Sequence, residues 1–127
     1  MKTSNFLLFL AIYGILTGCM MLFNSGSSLI NYGVKPIDHY HISIIQYVGI
    51  SNITMGLLSF LLRNEHSKVT QAILLTTSIT TVGSFLKGCY DVYIVNLPSN
   101  TFFWIDMSFR FLVGLISLYF VFKTKEN

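Results

Sequence analysis

Charge is what this chain has least of. Eight Lys or Arg and five Asp or Glu make 10% of 127 residues charged, where a soluble domain carries about a quarter. The basic residues sit at segment ends and form no stripe, so the net charge of +3 gives no nucleic-acid footprint. Cysteine is nearly absent: Cys19 and Cys89 are the only two, and no CxxC joins them, which leaves no dithiol or zinc-ligand motif. Two prolines, Pro36 and Pro98, both fall between apolar stretches. There is no internal repeat, low-complexity tract or disordered tail, and no nucleophile–base pattern, haem motif or dinucleotide fingerprint.

Apolar residues fill the space that charge leaves. They form 53% of the chain, with a mean hydropathy of +0.64, in four runs at residues 5–24, 41–63, 69–87 and 102–123. Each is close to the ~20 residues that cross a hydrocarbon core of about 30 Å. Only helices and closed barrels span a bilayer, and continuous apolar runs lack the alternation of barrel strands. The expectation is an all-α integral membrane protein, an antiparallel four-transmembrane-helix bundle forming one domain over 1–127, with the lipid bilayer as its first partner. Lys2, Arg63, Lys68, Lys123 and Lys125 outnumber Lys35 and Lys87 on the other side, so the positive-inside rule puts both termini in the cytoplasm. In a bacterium that is the inner membrane. Tyr90, Tyr93, Phe102, Phe103 and Trp104 suit an outer aromatic belt.

The inner connection, 64–68, is short enough for a tight hairpin. The first outer connection, 25–40, holds Gly26, Gly33 and Pro36, which disfavour continued helix; Leu29, Ile30, Tyr32, Val34 and Ile37 make it apolar enough to lie on the bundle mouth. The second, 92–101, is broken by Pro98, and Ser99 or Asn100 is placed to cap the last helix. Asp38-His39-Tyr40-His41 has two histidines at i and i+2 without further fixed ligands, which suits an interfacial loop better than a metal site, so no metal is expected.

The first run has two readings. Lys2 followed by apolar residues resembles a secretory signal, and Leu16-Thr17-Gly18-Cys19 resembles a bacterial lipobox, whose cysteine would be lipidated after cleavage. Against this, Met20, Met21, Leu22 and Phe23 continue the apolar run, and Gly14 and Gly18 form a GxxxG pair suited to close helix packing. Cys19 and Cys89 both fall toward the outer face, as a disulfide pair or as two small buried side chains.

Polar residues inside the runs mark candidate sites. Gln46, Gly49, Asn52, Gly56, Ser59 and Arg63 follow helical spacing on one face; Gly49 and Gly56 permit close backbone approach, and Asn52 can bond across helices. The face serves as a packing seam or as a ligand-facing groove. The third run is rich in threonine, whose hydroxyls can bond back to the helix. Lys87 and Asp91 late in the third run, with Asp106 and Arg110 early in the fourth, meet near one membrane face in an antiparallel hairpin. A central Arg or Asp costs about 2.5–3.5 kcal/mol on insertion scales, so partners are expected. Both pairs have i,i+4 spacing, and Asp106 before Arg110 is the favourable order. Two acids and two bases cancel, which favours a structural lock between the helices over a transport site.

Family patterns narrow the choice. Vitamin K epoxide reductase relatives need a CxxC, and small multidrug transporters need an acidic residue in the first helix; neither is present. Tyr47 to Leu58, with Gly49 and Gly56, followed by Arg63, resembles the glycine-punctuated second helix of DoxX-like small membrane proteins. Gln46 stands where many relatives would carry a basic residue. The resemblance implies a four-helix layout, with some members tied to respiratory or quinone-linked redox systems. The expected function is an accessory or scaffold subunit, or a binder of a small amphipathic molecule contacted by Gln46, Asn52 and an Asp106-oriented Arg110. A small transporter or a quinone-linked subunit is the alternative. No cofactor or catalytic residue is assigned; a second copy or other membrane subunits are the expected protein partners.

Overall fold

The computed structural model describes residues 2–35, 38–65 and 67–125. Among them helix is the regular structure: α1 (Thr3–Phe23), α2 (Ser25–Asn31), α3 (His39–Leu61), α4 (Ser67–Tyr93) and α5 (Thr101–Lys125). Four of these, α1, α3, α4 and α5, are long and apolar enough to cross a membrane. Pro36 and Ile37 of the first outer connection, His66 of the inner one and the side chain of Lys125 lie outside what is described.

The chain divides into two compact units, Met1–Asn64 and Glu65–Asn127. In the first, α1 and α3 pack antiparallel through glycine. A Cβ added to Gly14 would sit 2.9 Å from the Asn52 carbonyl oxygen, and one on Gly18 would sit 2.6 Å from that of Gly49. Reciprocally, a Cβ on Gly49 would lie 2.8 Å from the Gly18 carbonyl and one on Gly56 2.9 Å from that of Ala11. Backbone meets backbone, the approach that small residues allow when no hydrophobic effect drives helices together in lipid. Ser4 Oγ donates to Asn64 Oδ1 at 2.7 Å and ties the far end of the hairpin.

In the second unit α4 and α5 are also antiparallel. Gly88 faces Phe103 and Met107, and Gly114 faces Thr81 and Val82, while the Phe85 and Phe111 rings meet at 4.6 Å between centroids. Ser117 is fully buried on α5. Its hydroxyl donates to the Val113 carbonyl at 2.8 Å, so burial leaves that hydroxyl satisfied.

Helix ends depart from the expected ones. α4 continues past Lys87 to Tyr93, because the pairing of Lys87 with Asp91 runs along the helix and supports rather than ends it. The connection between α1 and α3, expected as an outer loop, contains a helix, α2, with Gly26 inside it. α1 stops where Asn24 leaves helical dihedrals (φ −128°, ψ 44°), and the chain restarts with Ser28 N–H bonded to the Asn24 carbonyl at 3.0 Å. α3 and α5 start on side-chain caps: Asp38 accepts from His41 N–H at 3.2 Å, and Asn100 Oδ1 accepts from Phe103 N–H at 2.8 Å.

The spanning helices keep little of themselves inside. The buried share of each most apolar stretch lies between 17% and 33%, and Ile12, Leu16, Ile44, Leu61, Ile79 and Ile105 are all more than half exposed. Apolar exposure on this scale exceeds what a monomer tolerates in water and suits hydrocarbon.

Candidate functional site

The six polar residues singled out in the sequence occupy two places. Gln46 and Asn52 lie on the α3 face that meets α1. Gln46 Nε2 donates to the Leu22 carbonyl at 3.4 Å, and Asn52 Nδ2 points at Met21 Sδ, also 3.4 Å away. Both amides are directed at α1, beside the close approaches made at Gly49 and Gly56. Ser59, on the same face, is buried and donates to the Met55 carbonyl at 2.9 Å. Arg63, at the helix end, stacks its guanidinium 4.1 Å above the Phe60 ring and donates to the Phe60 carbonyl at 3.4 Å.

Lys87, Asp91, Asp106 and Arg110 belong to the α4–α5 hairpin. Their levels match, since Gly88 next to Lys87 faces Met107 next to Asp106. The charges differ in depth. Lys87 is 67% exposed and pairs with Asp91, its ammonium 5.6 Å from the centre of the Tyr90 ring. Such a side chain can keep its head at the headgroups while its stem lies along the helix. Arg110 and Asp106 are 17% and 15% exposed, and Arg110 Nε donates to Asp106 Oδ2 at 2.6 Å. The acid precedes the base by one helical turn, the order that complements the helix dipole. Each of these two ion pairs runs along a single helix.

Hydroxyls inside the spans follow one pattern. Thr17, Thr54, Thr81, Ser84 and Ser117 each donate to the carbonyl four residues back, at 2.7–2.9 Å. This back-bonding lets a helix carry polar residues through an apolar medium. The threonine-rich middle of α4 is therefore compatible with a span.

At the end of the hairpin where α4 leads into α5 the aromatic side chains cluster. Tyr93 and Trp104 are 5.8 Å apart between ring centroids, and Trp104 Nε1 donates to Ser99 Oγ at 3.1 Å. At the start of α3, Asp38 Oδ1 lies 3.0 Å from His41 Nδ1. The His41 backbone N–H chiefly holds the Asp38 carboxyl below the usual carboxylate range, against an opposing effect of burial and with help from the His41 side chain. Among the described residues no group of three or more His, Cys, Asp or Glu could hold a metal. Cys19 and Cys89 are free thiols, each partly buried.

Three contacts have no plain signal in the sequence: Met21 sulfur as the partner of Asn52, Asn64 as the partner of Ser4, and Ser28 covering the carbonyls at the α1–α2 break. Spacing identifies a face of one helix, but it does not name what faces it. No family model matches the chain, and neither does any curated protein or solved structure.

Proposed function

We propose that this chain is a multi-pass membrane protein whose four long helices form one antiparallel bundle, and that it acts as an accessory or scaffold subunit. The observation that carries this is the Asp106–Arg110 pair, mostly buried and closed at 2.6 Å within one helical turn. Asn52 turned toward α1 and the back-bonded hydroxyls of α4 and α5 support the same assignment. The ion pair and the hydroxyls are satisfied within their own helices, and Gln46 and Asn52 by α1, an arrangement that serves architecture rather than the processing of a substrate. The resemblance to DoxX-like proteins belongs to this proposal and supplies its four-span layout.

The test is a stability cycle in detergent micelles. Removing one member of a mostly buried ion pair leaves the other without compensation. Arg110→Ala should lower stability by about 2–3 kcal/mol, with part of the loss restored when Asp106→Ala is added. Liposomes reconstituted with the wild type should conduct protons no faster than empty ones. Wild-type stability in Arg110→Ala, together with proton flux that the substitution abolishes, would replace the scaffold with a transporter.

A further inference from the structure

The segment following α1 exposes apolar side chains beside Asn24, Ser27 and Asn31 while burying two of its three serines. Ser25 and Ser28 are buried, whereas Phe23, Ile30 and Val34 are 83%, 60% and 40% exposed. Hydrogen bonds fix that orientation at both ends. Ser28 Oγ donates to the Asn24 carbonyl at 3.0 Å and to that of Met20 at 3.3 Å, adding to the backbone N–H bonds that Ser28 and Asn24 already give these carbonyls. At the far end Gly33 N–H bonds to the Ile30 carbonyl at 2.9 Å and Val34 N–H to that of Leu29 at 3.0 Å. With Gly33 at φ 80°, these two bonds form a Schellman ending. Ser28 therefore cannot exchange places with the exposed apolar side chains without dismantling α2.

The surroundings say which medium suits this surface. Residues 23–34 carry no charge, and Lys35 and Asp38 follow immediately. Lys35 and Asp38 are exposed, as is Tyr40 at the start of α3. Apolar side chains at the end of a span, then a tyrosine and charged side chains, match the sequence of environments from acyl chain to headgroup. We propose that α2 lies in the boundary between acyl chains and headgroups, with Phe23, Ile30 and Val34 inserted in lipid and Ser28 turned to the backbone of the α1 end. The lipid surface is the partner, and the proposal rests on the long helices spanning the bilayer.

Fluorescence quenching separates the two claims. In a Trp104→Phe background, a single tryptophan is placed by Ile12→Trp, an exposed position midway along α1, or by Ile30→Trp. Each variant is reconstituted in phosphatidylcholine brominated either near the glycerol end or near the methyl end of the acyl chains. Ile12→Trp should lose more fluorescence to the deep bromines and Ile30→Trp more to the shallow ones. If Ile12→Trp behaves so while Ile30→Trp escapes both lipids, the interfacial assignment falls and the spanning helices stand. Stronger deep quenching of Ile30→Trp makes the segment re-entrant and also overturns the proposal. If neither variant is quenched, both claims fail together.

Discussion

Glycine and charge set the chemistry at the scale of single residues, and the two kinds of glycine separate cleanly. Gly18 is pressed against backbone: an added Cβ would lie 2.6 Å from both the Gly49 carbonyl oxygen and Ile53 Cγ1. Gly18→Ala should force α1 and α3 apart and cost about 1–3 kcal/mol, as overpacked sites do. Gly83 on α4 has nothing within 4 Å, so Gly83→Ala should be neutral or stabilising by up to about 1 kcal/mol through its helix preference. Thermal unfolding of both variants in the same detergent checks the contrast; equal effects would remove the packing explanation. The helical spacing of Gly49, Asn52 and Gly56 is legible in the sequence as one face. That Asn52 meets a thioether is not, because the neighbour lies 31 residues away in the chain and no local spacing encodes it. Arg110 shows the same limit. Its i,i+4 partner can be read directly, while its depth requires the packed hairpin.

Caps and breaks decide the elements. Asn100 supplies the oxygen that starts α5, and Asn100→Ala should cost about 1 kcal/mol, measured as earlier fraying of the first turn in hydrogen exchange. Asp38 does the same for α3 with a titratable group. Its carboxyl is held low when folded, so the cap's contribution is complete above the unfolded carboxylate range and is lost as pH falls through the lower folded value. Amide exchange at His41, corrected for intrinsic chemistry, should accelerate over that acidic window in the wild type. Asp38→Asn should remove the pH dependence while keeping an acceptor. Element positions were legible from four apolar runs, but their ends were less so. The third apolar run closes at Lys87, whereas the helix continues to Tyr93 with the Lys87–Asp91 pair running along it. Gly26 and Gly33 read as breakers. Gly33 does end a helix with its positive φ, while Gly26 sits inside α2, where the break falls at Asn24 instead.

For the whole molecule, the decisive quantity is how little of each spanning helix is buried. Mostly exposed apolar side chains suit a bilayer, and four helices long and apolar enough to cross one are readable from composition, whereas the arrangement of the two units requires more than hydropathy. Residues 1–18 are integral to the first unit, because Gly14 and Gly18 make its closest approaches to α3. The intact mass of the purified protein should therefore include them; a species beginning at Cys19 would exclude the first span. The proposed four spans also impose a parity on the connections that can be read in sealed cells. With Cys19 and Cys89 replaced by alanine, Leu97→Cys in the second outer connection and Glu65→Cys in the inner one are treated with a membrane-impermeant maleimide. Labelling of Leu97→Cys in intact cells, with Glu65→Cys labelled only after lysis, is the predicted result. Equal labelling of both positions before lysis would contradict the four-span topology.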